Sequence, residues 1–172
     1  EKAISKLAAD FLDDSRIHRV WSPGVDLPLD EIEAQGSKLS PESIDMLEGF
    51  MGVEEFVGDY ARAGLDCFRG SRARENIHLQ WSFEEMRHCL CLRLVLVTSD
   101  TRSQSQVDDY IDQIPQNSWD HSQHVGLGSP ISAVVYGARQ EMATYKNYRR
   151  LRDRIREECG LPVEITREER KR

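Results

Sequence analysis

Glu85 and His88 stand three residues apart in the segment Glu84-Glu85-Met86-Arg87-His88. On a helix that spacing points both side chains the same way, so one metal ion could take the carboxylate and the imidazole together. Helix bundles that hold two iron ions use this Glu-x-x-His unit twice and add a lone glutamate from each of two further helices. Candidates for the lone glutamates are present: Glu54 or Glu55, and Glu141 within Gln140-Glu141-Met142-Ala143-Thr144. A second Glu-x-x-His unit is missing, because no histidine follows His124 in this sequence. Carboxylates with imidazole suit iron or manganese and leave coordination positions open for oxygen. Thr144, one turn beyond Glu141, could hydrogen-bond to a water or oxygen at such a metal.

The spacing alone is weak evidence, because a chain with 30 acidic residues and 5 histidines produces such pairs by chance. What strengthens it is the setting. Glu85 lies between Trp81, Phe83 and Met86 on one side and Cys89, Leu90 and Leu92 on the other. An acid and a histidine within an apolar helix need partners, since buried charge is costly without them. Glu141 likewise follows Ile131, Val134, Val135 and Tyr136. The other clusters read as structural. His121 and His124 fall in a polar loop, His78 reads as helix surface, and Cys89-x-Cys91 reads as core.

The elements that must carry these residues are helical. Residues 1–17 place Ile4, Leu7, Ala8, Phe11 and Leu12 at helical spacing. Two prolines and a glycine in 21–28 predict an extended connector. Ser40-Pro41 reads as a helix start, and the helix can run to about Phe68 despite four glycines that lower its intrinsic propensity. Ser71 to Val97 reads as a second long helix whose apolar residues wrap round after Cys89, implying deep burial at that end. A shorter helix follows over Ser105 to Ile114, then a loop over 115–129. Ser129-Pro130 opens a third long helix to about Glu158, closed by Gly160 and Pro162. No alternating strand pattern of useful length occurs. The fold class is therefore all-α, and 1–172 reads as a single helical domain: helix and connector over 1–39, bundle helices over 40–160, and the start of a further segment over 161–172.

Composition sets outer bounds. Net charge is −7, which argues against nucleic acid as a partner. The longest apolar run, near Leu90 to Val97, is interrupted by Arg93 and too short to span a bilayer. Four cysteines without zinc or disulfide spacing fit packed, reduced thiols in a cytoplasmic protein. Against the acidic background, Arg149, Arg150, Arg152, Arg154 and Arg156 form a basic stretch, read as a solvated face or a docking patch for an acidic partner.

Four segments together resemble the acyl-acyl-carrier-protein desaturase family, soluble enzymes with a ferritin-like di-iron bundle. Trp21-Ser22-Pro23 with Leu27-Pro28 resembles the family's Trp-x-Pro…Leu-Pro connector. Glu54-Glu55-Phe56-Val57-Gly58-Asp59-Tyr60 resembles its Glu-Glu-x-x-x-x-Tyr, and Trp81 to His88 its Trp-x-x-Glu-Glu-x-Arg-His. Gln140 to Thr144 resembles its Gln-Glu-Arg-Ala-Thr, with Met142 in place of the arginine. The order agrees, although the stretch between the first two ligand segments looks shortened.

The resemblance implies a ferritin-like bundle in which Glu54, Glu85, His88 and Glu141 bind iron, Glu85 and Glu141 bridge two Fe2+ ions, and Thr144 lies beside the oxygen site. It implies an oxidoreductase of fatty acid biosynthesis that places a cis double bond in a saturated acyl chain on acyl carrier protein. O2 and electrons from ferredoxin would drive the reaction. It implies a homodimer in the cytoplasm, or in the plastid stroma behind a trimmed transit peptide. Because acyl carrier protein is acidic, the arginines at 149–156 are the candidate docking patch. The family's second Glu-x-x-His lies beyond the Gln-Glu-x-Ala-Thr motif. Its absence here reads as an incomplete chain that is inactive alone, the bundle being unfinished at the C-terminus. The alternatives are a different ferritin-like oxidase or oxygenase acting on a free substrate, and a non-catalytic helical interaction module on a desaturase-like scaffold.

Overall fold

Ser40 accepts a hydrogen bond from the Ser43 amide, and Pro41 supplies a pre-set φ at the first helical position. Ser103 and Gln106 form a reciprocal capping box, and Ser129 accepts from the Ser132 amide ahead of Pro130. These starts explain most of the architecture. The computed structural model describes residues 2–117 and 129–161. Within them the chain is an all-α bundle: α1 (Lys2–His18), α2 (Pro23–Asp26), α3 (Leu29–Gln35), α4 (Pro41–Glu55), α5 (Val57–Cys67), α6 (Arg72–Thr98), α7 (Gln104–Gln113) and α8 (Pro130–Glu158). Short 3₁₀ turns cover Gly36–Lys38 and Ile114–Asn117. His121, His124 and the segment after Leu161 lie outside the described residues.

Helix α6 is the axis of the molecule: α4 and α5 pack along one side of it and α1 along another. The core gathers Leu47 and Met51 of α4, Cys89 and Leu96 of α6, Val107 of α7 and Leu151 of α8. Burying such side chains is worth about 1.5–3 kcal/mol each. Among the described residues no helix is long and apolar enough to cross a membrane. Cys67, Cys89, Cys91 and Cys159 are free thiols, two of them buried.

Three sequence expectations need correction. The 21–28 segment is not an extended connector, since α2 forms within it and α3 follows at Leu29. Pro23 starts α2 rather than breaking a helix, and the Asp26 carboxylate accepts from the Ser22 amide at 2.6 Å, closing the turn. The expected helix from Pro41 to Phe68 is two helices. At Phe56 the backbone slackens to φ −69°, ψ 3°, and its amide bonds back to Val53 in a tighter turn. Finally, the apolar wrap after Cys89 is not uniformly buried. Leu96 is fully enclosed, whereas Leu90 is 45 % exposed and aligns with Leu79, Phe83 and Met86 in an outward stripe.

Two ends are tied together at a distance. The Glu158 carboxylate at the end of α8 accepts from the Ser40 amide, the Ser40 and Ser43 hydroxyls and the Arg154 guanidinium. It sits at the N-terminus of α4, where amide donors favour an anion. These donors outweigh the opposing effect of burial and hold the carboxyl near pKa 2.

Candidate metal centre

Glu54, on the last turn of α4, is buried at 4 % exposure. Glu85 and His88 come from one face of α6, in agreement with their three-residue spacing. One ligand atom from each of Glu54, Glu85 and His88 lies within 4.8 Å of the others, so a single ion could reach all three. His88 Nδ1 is 3.1 Å from Glu85 Oε2. The neighbouring acid Glu55 turns elsewhere and accepts from the Cys89 thiol at 2.8 Å. The choice between Glu54 and Glu55, open in the sequence, falls on Glu54.

Glu141 approaches from α8. Its carboxylate accepts the Trp81 indole N–H at 2.8 Å, but it is more exposed than the three residues above and stands outside their tight group. Glu85 stands near enough to both Glu54 and Glu141 to raise the carboxyl of each. Thr144 is half-buried one turn beyond Glu141 on α8.

The electrostatics are those of acids crowded together. Burial pushes the Glu54 carboxyl up to about 7, with the facing Glu85 adding to the rise and the Tyr148 hydroxyl pulling against it. Glu141 is raised for the same leading reason, opposed by its bond from Trp81. His88 is raised by its hydrogen bond to Glu85. Facing carboxyls that must hold protons to coexist are the arrangement a divalent cation relieves. The donors are hard oxygens with one imidazole, which fits iron or manganese better than a thiol-seeking metal. The residues present therefore fit one ion, and Glu141 extends the donor set.

Sequence reasoning gave no part in the site to three neighbours. Tyr148, on the Glu141 face of α8 two turns further on, donates to Glu54 Oε1 in a short hydrogen bond. Tyr60 is buried against Trp81 with ring centroids 5.3 Å apart. His78, expected at the surface, is buried. Its Nε2 lies 3.2 Å from the Tyr60 carbonyl and 3.0 Å from that of Ala61, and a side chain at Gly64 would leave no room for the ring. The signal for Tyr148 was its register, seven residues beyond Glu141 and so on the same face.

A cavity of about 300 Å³ opens beside this centre. Phe68 just beyond α5, His78 and Trp81 of α6, and Val134 and Gly137 of α8 line it, with Glu141 of α8 among them. Of the arginine stretch, Arg152 pairs with Asp153 and Arg154 with Glu158 and Glu42, while Arg149 and Arg150 are exposed. No family model, curated protein or solved structure matches this chain.

Proposed function

We propose that the chain belongs to an acyl-carrier-protein desaturase. The observation that carries this reading is the buried group Glu54, Glu85 and His88 within reach of one ion, set against a largely apolar cavity that Glu141 also lines. Glu54, Glu85 and His88 would hold iron, joined by Glu141. A centre of two ions needs further ligands from a second Glu-x-x-His unit. When bound, iron in a carboxylate-rich site supplies the oxidising power, with O2 and ferredoxin electrons, that removing hydrogen from an unactivated acyl chain demands.

The chain's own residues do the remainder. Phe68, Trp81 and Val134 offer the apolar walls that align an alkyl chain and keep water from it. Trp81 steadies Glu141 through its indole N–H. Thr144 offers a hydroxyl one turn along the same helix. Arg149 and Arg150 remain facing solvent, where an acidic carrier protein could be drawn by long-range attraction. The reading is tested by titrating iron-loaded protein with a saturated acyl group on acyl carrier protein, and by then supplying reduced ferredoxin and O2. Binding of the acylated carrier protein, and a new cis double bond in the recovered chain, support it. Iron binding with no affinity for the acylated carrier protein points to an oxidase acting on a free substrate.

A second reading, a metal-independent helical interaction module, is favoured by one observation. Leu79, Phe83, Met86 and Leu90 form an exposed apolar stripe along α6, on the side away from the acids. Failure of the protein to retain any divalent metal would favour that reading.

A further inference from the structure

We propose that Tyr148 is a positioning residue of the metal centre, holding one oxygen of Glu54 so that the carboxylate meets an ion through the other. The inference rests on Glu54, Glu85 and His88 being a metal site, and goes beyond it by assigning a task to a residue that is not a ligand. Tyr148 comes from α8 and Glu54 from α4, so the bond spans two helices. The phenol donates to Glu54 Oε1, and its ring meets Phe50 of α4 edge-on with centroids 4.8 Å apart. Ring and hydroxyl are thus both fixed from the same helix that carries the acid.

That fixing matters for a buried acid. Glu54 faces Glu85 and His88 at close range. A carboxylate free to rotate there could pair with His88 or swing off the site, and ordering it would oppose metal binding. With Oε1 committed to the phenol, one oxygen remains for the ion and its direction is set before the ion arrives. A hydrogen bond to the ligand's second oxygen favours the ionised carboxylate that a metal needs, so the donor supports the site without occupying a coordination position.

The test uses Co2+ as a probe, with affinity from titration and coordination geometry from the visible spectrum. Tyr148→Phe keeps the ring and removes only the hydroxyl. Co2+ affinity should fall by about 10- to 100-fold and the spectrum should shift, the loss typical of removing a ligand's hydrogen-bond partner. Val107→Ala disturbs the core packing on α7 and leaves the hydroxyl and its ring contact alone; it should lower the melting temperature while leaving affinity within about twofold of wild type. In a Glu54→Gln background the Tyr148→Phe change should have no further effect on affinity, as expected when two groups act as one. Unchanged Co2+ affinity and spectrum in Tyr148→Phe, with wild type binding well, would overturn the role of Tyr148 alone. No Co2+ binding by wild type would overturn the metal centre and the role of Tyr148 with it.

Discussion

Glu54 meets Glu85 across the contact of α4 with α6, and two buried carboxyls at that range cannot both ionise cheaply. The consequence for stability has a definite sign. An unfolded glutamate loses its proton near 4.5, whereas folded Glu54 keeps it to about 7. Between those values the native state binds more protons, so the metal-free protein loses stability as pH rises. Glu141 and His88, both raised, push the same way. Thermal melts of metal-free protein should therefore show a higher melting temperature at pH 5 than at pH 7.5. Glu54→Gln should reduce that slope, and a slope unchanged in the variant would mean that Glu54 is not a source of it. Divalent metal should bind more tightly as pH rises, because it competes with those protons. Gly64 supplies a second test at this scale. A Cβ there would stand 2.1 Å from His78 Nε2, so Gly64→Ala should destabilise the fold by about 1–3 kcal/mol in chemical denaturation.

At the scale of elements, α8 is joined to the bundle less by apolar burial than by polar links. Leu151 is its one fully buried residue among those described, while Tyr148 reaches Glu54, Glu141 meets Trp81, and Glu158 closes onto Ser40 and Ser43. The Glu158 link should be measurable. Its carboxyl is held near 2, so its contribution is present above about 4.5 and is lost as pH falls toward 2. Glu158→Gln should cost about 1–2 kcal/mol at neutral pH, comparable to losing a helix cap, and little at pH 2.5. A cost relative to wild type that is the same at both pH values would remove Glu158 from the account. Helices α4 and α8 were legible in the sequence because their starts carry Ser-Pro; α6 has no such start, and its length was read from the apolar residues along it. The break at Phe56 was not, since neither proline nor glycine occupies it. Pro23 misled for the converse reason, as proline both ends and begins helices.

At the scale of the whole molecule, helix spacing brought Glu85 and His88 together as the sequence implied, and α4 delivered Glu54 to them. Local spacing could not convey what depends on how helices pack. It did not place Tyr148 against Glu54, enclose His78 behind Gly64, or leave Glu141 at the margin of the group. An ion joining α4 to α6 should also stabilise the fold, by about 2.7 kcal/mol at a free concentration 100 times its Kd. The most direct measurement is iron content after anaerobic loading with Fe2+ and removal of free metal. Wild-type protein should retain iron, and Glu85→Ala and His88→Ala should each lose most of it while remaining helical. Wild type emerging without iron, or both variants retaining as much as wild type, would contradict the assignment of Glu54, Glu85 and His88 as a metal centre.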